Sequence, residues 1–135
     1  MENNNHTQQK PTLSMSQAVS NVFDKYATFS GRARRSEYWW YWLFYLIVLF
    51  MAVFFDNFFG ITFDYLTYGP IYVLAALGLI LPTWAVAVRR LHDINKSGWN
   101  LLWSLVPIIG AILLLIWACT DSDRTTNEYG ESPKY

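Results

Sequence analysis

The chain has 135 residues, of which 53% are hydrophobic, 19% aromatic and only 15% charged, with ten basic and ten acidic side chains. Soluble domains carry about 25% charged residues, so this deficit excludes a disordered chain and favours a single-domain membrane protein. The formal charge is zero, so the chain has no surplus of positive charge to neutralise phosphates, and a nucleic-acid-binding protein is disfavoured. The single cysteine, Cys119, excludes an internal disulfide framework.

The N-terminal region divides into a tail and a helix. Residues 1–12 are polar and predict a disordered tail. Residues 14–29 predict an amphipathic interfacial helix, because the apolar positions from Met15 to Phe29 recur at steps of three and one. Ser14 followed three residues later by Gln17 is typical of a capping box. This helix either lies in the headgroup region or packs on the ends of the spans.

Three long apolar runs follow, at residues 38–55, 71–88 and 99–119, and none contains a charged residue. A bilayer core of about 30 Å is crossed by about 20 helical residues. We therefore predict an all-α integral membrane helical bundle over residues 13–119. It has three transmembrane helices preceded by the amphipathic helix, and a polar C-terminal tail at 120–135 follows it.

The basic residues predict the orientation of the spans. Lys and Arg precede the first run and recur in the 89–98 loop, whereas the 56–70 loop has none. By the positive-inside rule the N-terminus is cytoplasmic, and three crossings place the C-terminus outside. Pro107 and Gly110 interrupt the third run, however. A re-entrant hairpin there remains an open alternative, with both termini in the cytoplasm.

A group of charged side chains flanks the first two runs at their predicted cytoplasmic ends. Arginines beside a membrane hold anionic headgroups at about 1 kcal/mol each. Alternatively, the arginines pair with the acids in a structural ion-pair cluster. Both readings concern the same candidate site: Arg32, Arg34, Arg35, Glu37, Arg89, Arg90, His92 and Asp93.

Catalytic and metal sites are disfavoured by the residue inventory. The other histidine, His6, lies in the N-terminal tail, and a metal needs three or four ligands. Nucleophilic catalysis at His92 would need Ser36 or Ser97 as its partner, and each has an ordinary role at a helix start or turn. We expect no enzyme, no cofactor and no metal. The runs also lack the buried ionisable side chains of coupled transporters.

Five ordered motifs resemble a known family. They are GRARRSEYWW at 31–40, RRLHD at 89–93, SGW at 97–99, PIIG at 107–110 and NEYG at 127–130, with Pro82 between the first two. From about Ser20 to Pro133 the chain is similar to the domain of unknown function 805 family of small bacterial inner-membrane proteins. The resemblance implies a location and a fold but no activity. The chain departs from the family pattern at Asn95, where members often have Gly. It also departs from it in the segment before the NEYG motif, which is poor in Gly and Pro here.

The function expected from these features is that of a multi-pass protein of the bacterial cytoplasmic (inner) membrane with a basic cytoplasmic rim. We expect a non-enzymatic role in lipid or protein interaction. Its partners would be membrane lipids, including anionic headgroups, a second copy of the chain or another membrane protein, and not nucleic acid. The alternative is a subunit of a small oligomeric channel or transporter. A membrane hydrolase centred on His92 is the least favoured reading.

Overall fold

The computed structural model describes residues 9–135, and the first eight residues of the predicted polar tail lie outside it. The described part of the chain is all-helical, with five helices and no strand. In chain order these are α1 (Met15–Asp24), α2 (Arg35–Phe58), α3 (Pro70–Asp93), a 3-10 helix (Gly98–Leu105) and α4 (Ile109–Cys119).

Helix α1 begins as the sequence indicates, with the Ser14 hydroxyl accepting from the Gln17 N–H and the Gln17 side chain accepting from the Ser14 N–H. It ends at Asp24, five residues before the predicted boundary. Ala18 and Val22 on its apolar face are fully buried. Because these side chains pack inside the protein, α1 lies against the helical bundle.

Helices α2 and α3 pack side by side in opposite directions. The Tyr41 hydroxyl of α2 lies 2.7 Å from the Thr83 hydroxyl of α3. Tyr41 and Val86 are both fully buried in the same apolar cluster. Ala85 of α3 is also fully buried. The start of α2 therefore lies beside the end of α3, and we call this end of the bundle the basic end.

At the opposite end, Asp56 near the end of α2 caps the start of α3. Its carboxylate accepts from the backbone N–H groups of Gly69, Ile71 and Tyr72 at 2.8, 3.0 and 2.9 Å. The first N–H groups of a helix lack intrahelical acceptors and attract negative charge. A Cβ at Gly69 would lie 2.6 Å from the Ile61 carbonyl oxygen, so this close approach requires glycine.

The third apolar run does not form the single spanning helix that was expected. It is divided into the 3-10 helix and α4, which are separated by residues 106–108. Pro107 has no N–H to donate to a continuous helix. Ile108 adopts a left-handed φ of 67°, which is unusual for a β-branched residue. The 3-10 helix, with eight residues, and α4, with eleven, are each about 16 Å long, which is roughly half the thickness of a bilayer core.

The two halves of this run lie next to each other. A Cβ at Gly110 in α4 would clash with the Trp103 carbonyl oxygen of the 3-10 helix. At the other end, the Lys96 ammonium lies 4.9 Å from the centroid of a Trp117 ring. The residues that enter and leave the run are therefore adjacent, and both lie near the basic end.

The outer surface of the bundle is apolar. Helices α2 and α3 are long and apolar enough to cross a membrane, and only 11% and 22% of their most apolar 18-residue windows are buried. The core helix of a soluble protein would be mostly buried instead. Phe50 of α2 is 74% exposed and Leu74 of α3 is 70% exposed. Contiguous exposure of this extent is typical of side chains that contact lipid.

Candidate functional site

Asp93, the last residue of α3, is the centre of the charged cluster and is completely buried. Its carboxylate accepts from Arg32 Nε at 3.1 Å and from Arg90 Nη1 at 2.8 Å. The Ser122 hydroxyl donates to the same carboxylate at 2.5 Å. One acidic side chain thus joins the segment before α2, the end of α3 and the C-terminal tail.

Arg32 binds the C-terminal tail through backbone carbonyls. Its Nη2 donates to the carbonyl oxygens of Asp93 at 3.0 Å and Asp123 at 2.6 Å. Its Nη1 donates to those of Thr125 at 2.9 Å and Gly130 at 3.2 Å. Guanidinium groups present five N–H donors in a fixed plane, so Arg32 holds the tail in one conformation over the basic end.

A second buried pair ties α2 to α3. Arg89 Nη1 lies 3.2 and 3.3 Å from the two carboxylate oxygens of Glu37, and the side chains are 0% and 5% exposed. The Ala33 N–H donates to the Arg89 carbonyl oxygen at 2.9 Å. Within residues 9–135, Arg89 Nε and Nη2 have no acceptor. Removing Glu37 would therefore leave a buried charge without compensation.

Two further arginines of the predicted site are buried against backbone. Arg90 donates from Nε and Nη2 to the Ala118 carbonyl oxygen, both at 3.3 Å, and from Nη2 also to the Thr120 carbonyl. Arg34 donates to the Pro11 carbonyl oxygen at 2.8 Å. Arg90 thereby fastens the end of α4, and Arg34 fastens the segment before α1.

His92 is packed against the tail. Its Nδ1 lies 3.0 Å from the Gly31 carbonyl oxygen, and its ring stacks on Tyr129 at 3.9 Å with only 3° between the planes. The Asn127 side chain donates to the His92 carbonyl oxygen at 3.0 Å. In the part of the chain that the structure describes, no serine or cysteine side chain hydrogen-bonds to the His92 ring. The NEYG motif therefore provides a stacking platform for His92.

Arg35 differs from the other arginines of the site, because 44% of its side chain is exposed. It donates to the Cys119 carbonyl oxygen and to Asp121, each at 3.2 Å. It also lines an open groove of about 500 Å³, together with two exposed aromatic side chains, Trp39 and Trp40. We call this surface the Arg35 groove.

Asp121 organises the end of the tail. It accepts from Lys134 Nζ and from the Tyr135 hydroxyl, both at 2.7 Å. Partial burial acts to raise the pKa of Asp121, but these hydrogen bonds and that of the Ser122 N–H hold the pKa well below its usual range. The last residues of the chain therefore fold back towards the end of α4.

The structure brings seven of the eight predicted residues into buried contacts and leaves Arg35 exposed. The tail groups that complete the site were not predicted from the sequence; they are the Ser122 hydroxyl and the carbonyls of Asp123, Thr125 and Gly130. Residues 120–135 were predicted to be a separate polar tail, and the match of the NEYG motif was the one signal within them. The predicted 56–70 loop includes Asp56, whose capping role was not predicted.

The fold and the site together define a small helical membrane protein that has two membrane-length helices and a polar end closed by its own C-terminal tail. Residues 26–131 match the family described as Protein of unknown function (DUF805), and the chain belongs to that family. It is 41% identical over 115 residues to the inner membrane protein YhaI of Escherichia coli, covering 84% of this chain and 92% of that protein. Inner membrane protein YhaH of the same organism is 35% identical over 116 residues, covering 84% and 93%. No solved structure matches the chain.

Proposed function

We propose that this chain is a non-enzymatic inner-membrane protein that binds anionic phospholipid headgroups at the cytoplasmic face, with Arg35 as the binding residue. The observation that carries the proposal is the exposure of Arg35 in a groove beside Trp39 and Trp40. Two of its N–H donors meet Cys119 and Asp121, and the others remain for a phosphate. Tryptophans characteristically lie at headgroup level in membrane proteins.

The same proposal includes a topology of two crossings and a re-entrant hairpin. Helices α2 and α3 cross, whereas the 3-10 helix and α4 enter the cytoplasmic leaflet and return. Support comes from the contact of Lys96 with Trp117 and from the hydrogen bonds of Arg90 to the end of α4. At the break, the Gly110 N–H donates to the Val106 carbonyl oxygen at 3.0 Å. Such local pairing is what non-helical backbone needs at membrane depth.

The orientation follows from the distribution of all ten basic residues. They precede α2, lie in its first turn or in the last two turns of α3, or follow α3, and none lies between Phe59 and Gly69. With the hairpin, Arg124 and Lys134 lie at the basic end with the other eight. The positive-inside rule then places this end, and both termini, in the cytoplasm.

The absence of enzymatic activity is part of the proposal and is supported by the contacts of His92. A general base must reach the group that it deprotonates. The His92 ring instead meets the Gly31 carbonyl and the face of Tyr129. A His92→Gln variant that folds normally should bind anionic phospholipid as the unchanged protein does. Loss of this binding in the folded variant would give the His92 ring a functional role and contradict this part of the proposal.

The headgroup site is tested by native mass spectrometry of the detergent-solubilised protein titrated with phosphatidylglycerol or phosphatidylcholine. Arg35→Gln should lower the affinity for phosphatidylglycerol about fivefold, which corresponds to about 1 kcal/mol for one cation, and leave phosphatidylcholine binding unchanged. Lys25→Gln is the matched control, because Lys25 is an exposed cation outside the Arg35 groove. Equal effects of the two substitutions would overturn the site.

The topology is tested by reporters fused after Tyr135. A fluorescent protein that matures only in the cytoplasm should be bright, and alkaline phosphatase, which needs the periplasm, should be inactive. The opposite pair of results would indicate a third crossing and overturn the hairpin.

A further inference from the structure

One anion is already bound beside the Arg35 groove, and the chain itself supplies it. The Asp121 carboxylate accepts from Arg35 Nη2 at 3.2 Å, and from Lys134 Nζ and the Tyr135 hydroxyl, both at 2.7 Å. We call the three donors, Arg35, Lys134 and Tyr135, the tail anion site. Because Arg35 belongs to both, the tail anion site and the Arg35 groove are continuous.

The donors of the tail anion site converge on one small group. Arg35 Nη2 and Lys134 Nζ contact the same carboxylate oxygen, Oδ1 of Asp121. Two cations in this position repel each other unless an anion lies between them. The Tyr135 hydroxyl donates to the other oxygen, Oδ2. The site is therefore complementary to a group in which two oxygens share one negative charge.

Asp121 can leave this position without disturbing the donors. The Arg35 and Asp121 side chains are 44% and 40% exposed, and exposed ion pairs are weak because water competes for both partners. Lys10 holds the end of the tail independently of Asp121. Its N–H donates to the Lys134 carbonyl oxygen at 2.6 Å, and its Nζ donates to the Ser132 carbonyl oxygen at 2.7 Å. Rotation of the Asp121 side chain therefore frees the donors while the tail stays in place.

A phosphodiester is the external anion that matches the carboxylate. It carries one negative charge on two non-bridging oxygens, so it replaces Asp121 without changing the charge within the site. Guanidinium and ammonium groups form charge-assisted hydrogen bonds with phosphate as they do with carboxylate. The exposed Trp39 and Trp40 of the Arg35 groove are typical of residues at headgroup level, which is where phospholipids present their phosphodiesters.

We propose that the phosphodiester of an anionic phospholipid takes the place of the Asp121 carboxylate in the tail anion site. Lys134 and Tyr135 are then further headgroup-binding residues, and Asp121 is an internal competitor that occupies the site when no lipid is bound. This role rests on the proposed headgroup function of Arg35. It requires that removal of the Asp121 charge strengthens lipid binding, although Asp121 contacts the binding residue directly.

The experiment is the native mass spectrometry titration with phosphatidylglycerol, applied to Asp121→Asn. This variant should bind the lipid about fivefold more tightly, equivalent to about 1 kcal/mol, because the lipid no longer displaces an exposed ion pair. Glu131→Gln is the matched control, since it removes the same charge from an exposed position of the same tail. If Asp121 only orients Arg35, Asp121→Asn leaves the affinity unchanged or lowers it. Either result, or a gain equal to that of Glu131→Gln, would overturn the competition.

The further binding residue is tested in the Asp121→Asn background. Adding Lys134→Gln should lower the affinity for phosphatidylglycerol about fivefold, as expected for one cation at the membrane surface. Adding Lys25→Gln removes an exposed cation outside the site and should have a smaller effect. Equal affinities of the two double variants would overturn the role of Lys134.

Two further outcomes separate the source of the phosphate and the two proposals. Inorganic phosphate at the concentration of the lipid should not displace phosphatidylglycerol, and displacement would overturn a lipid as the occupant. Equal effects of Arg35→Gln and Lys25→Gln would overturn the headgroup site and the competition together. A specific loss with Arg35→Gln, without a gain with Asp121→Asn, would overturn the competition alone.

Discussion

Asp93→Asn is the sharpest test of the buried cluster, because the substitution keeps the shape of the side chain and removes its charge. Asp93 accepts from the guanidinium groups of Arg32 and Arg90 and from the Ser122 hydroxyl. An asparagine side chain offers one acceptor oxygen in place of two and turns an NH₂ group towards one of these donors. Two buried cations then lose their shared counter-charge.

The expected loss is large because neither arginine can reach water. The Arg32 and Arg90 side chains are 1% and 2% exposed. Removing one partner from a buried ion pair costs about 3–5 kcal/mol. The Asp121 ion pairs provide a contrast, because the Asp121 side chain is 40% exposed. Exposed pairs contribute about 0–1 kcal/mol, so Asp121→Asn is the matched control.

The assay is unfolding of the dodecylmaltoside-solubilised protein by increasing mole fractions of sodium dodecyl sulfate, followed by circular dichroism. Asp93→Asn should lower the free energy of unfolding by about 3–5 kcal/mol and Asp121→Asn by about 1 kcal/mol or less. If the two variants are destabilised equally, Asp93 is not the centre of a buried cluster and the reasoning is wrong.

Three further predictions concern the hairpin and the tail. Gly110→Ala should destabilise the protein by about 1–3 kcal/mol in the same assay, because its Cβ meets backbone, whereas Gly78→Ala, with open space around its Cβ, should not be destabilising. Arg32→Lys should speed trypsin cleavage at the exposed Arg124, because an ammonium cannot hold four carbonyls, and an unchanged rate would contradict that role. The pKa of Asp121 is lowered, so its contribution to holding the tail is complete above about pH 4 and is lost as the pH falls through the folded-state pKa. An NMR titration midpoint at or above the ordinary value would refute this.

The long helices could be predicted because their signals are local. The charge-free runs at 38–55 and 71–88 fall inside α2 and α3. The Ser14 capping box is likewise visible as two residues three positions apart. In each case a few neighbouring residues determine the backbone without help from the rest of the chain.

The sequence could not decide whether the third apolar run crosses the membrane or forms a re-entrant hairpin, because the two structures require the same apolar composition. Pro107 indicated a break, but proline also kinks helices that continue. The decisive contacts are tertiary: Gly110 lies against the 3-10 helix, and Arg90 reaches the end of α4. Spacing along the chain does not encode such distances.

The docking of the C-terminal tail was missed for a different reason. Four of the acceptors for Arg32 are backbone carbonyls, and three of them belong to Asp123, Thr125 and Gly130 in the tail. A carbonyl has no residue signature, so the polar composition of 120–135 resembles that of a free tail. Ser122 is equally inconspicuous, although its hydroxyl lies 2.5 Å from the carboxylate of Asp93.

The charge balance of the basic end explains why the tail belongs to the fold. Four arginines, at positions 32, 34, 89 and 90, are buried there with only two buried carboxylates, those of Glu37 and Asp93. Buried cations need hydrogen-bond acceptors as well as counter-charges. The carbonyls of the tail and of the segment before α1 supply these acceptors to Arg32 and Arg34. The segment before α1 and the C-terminal tail thus complete a site whose charged residues lie between them, and a chain ending before Ser122 would lose three of the four carbonyls that accept from Arg32.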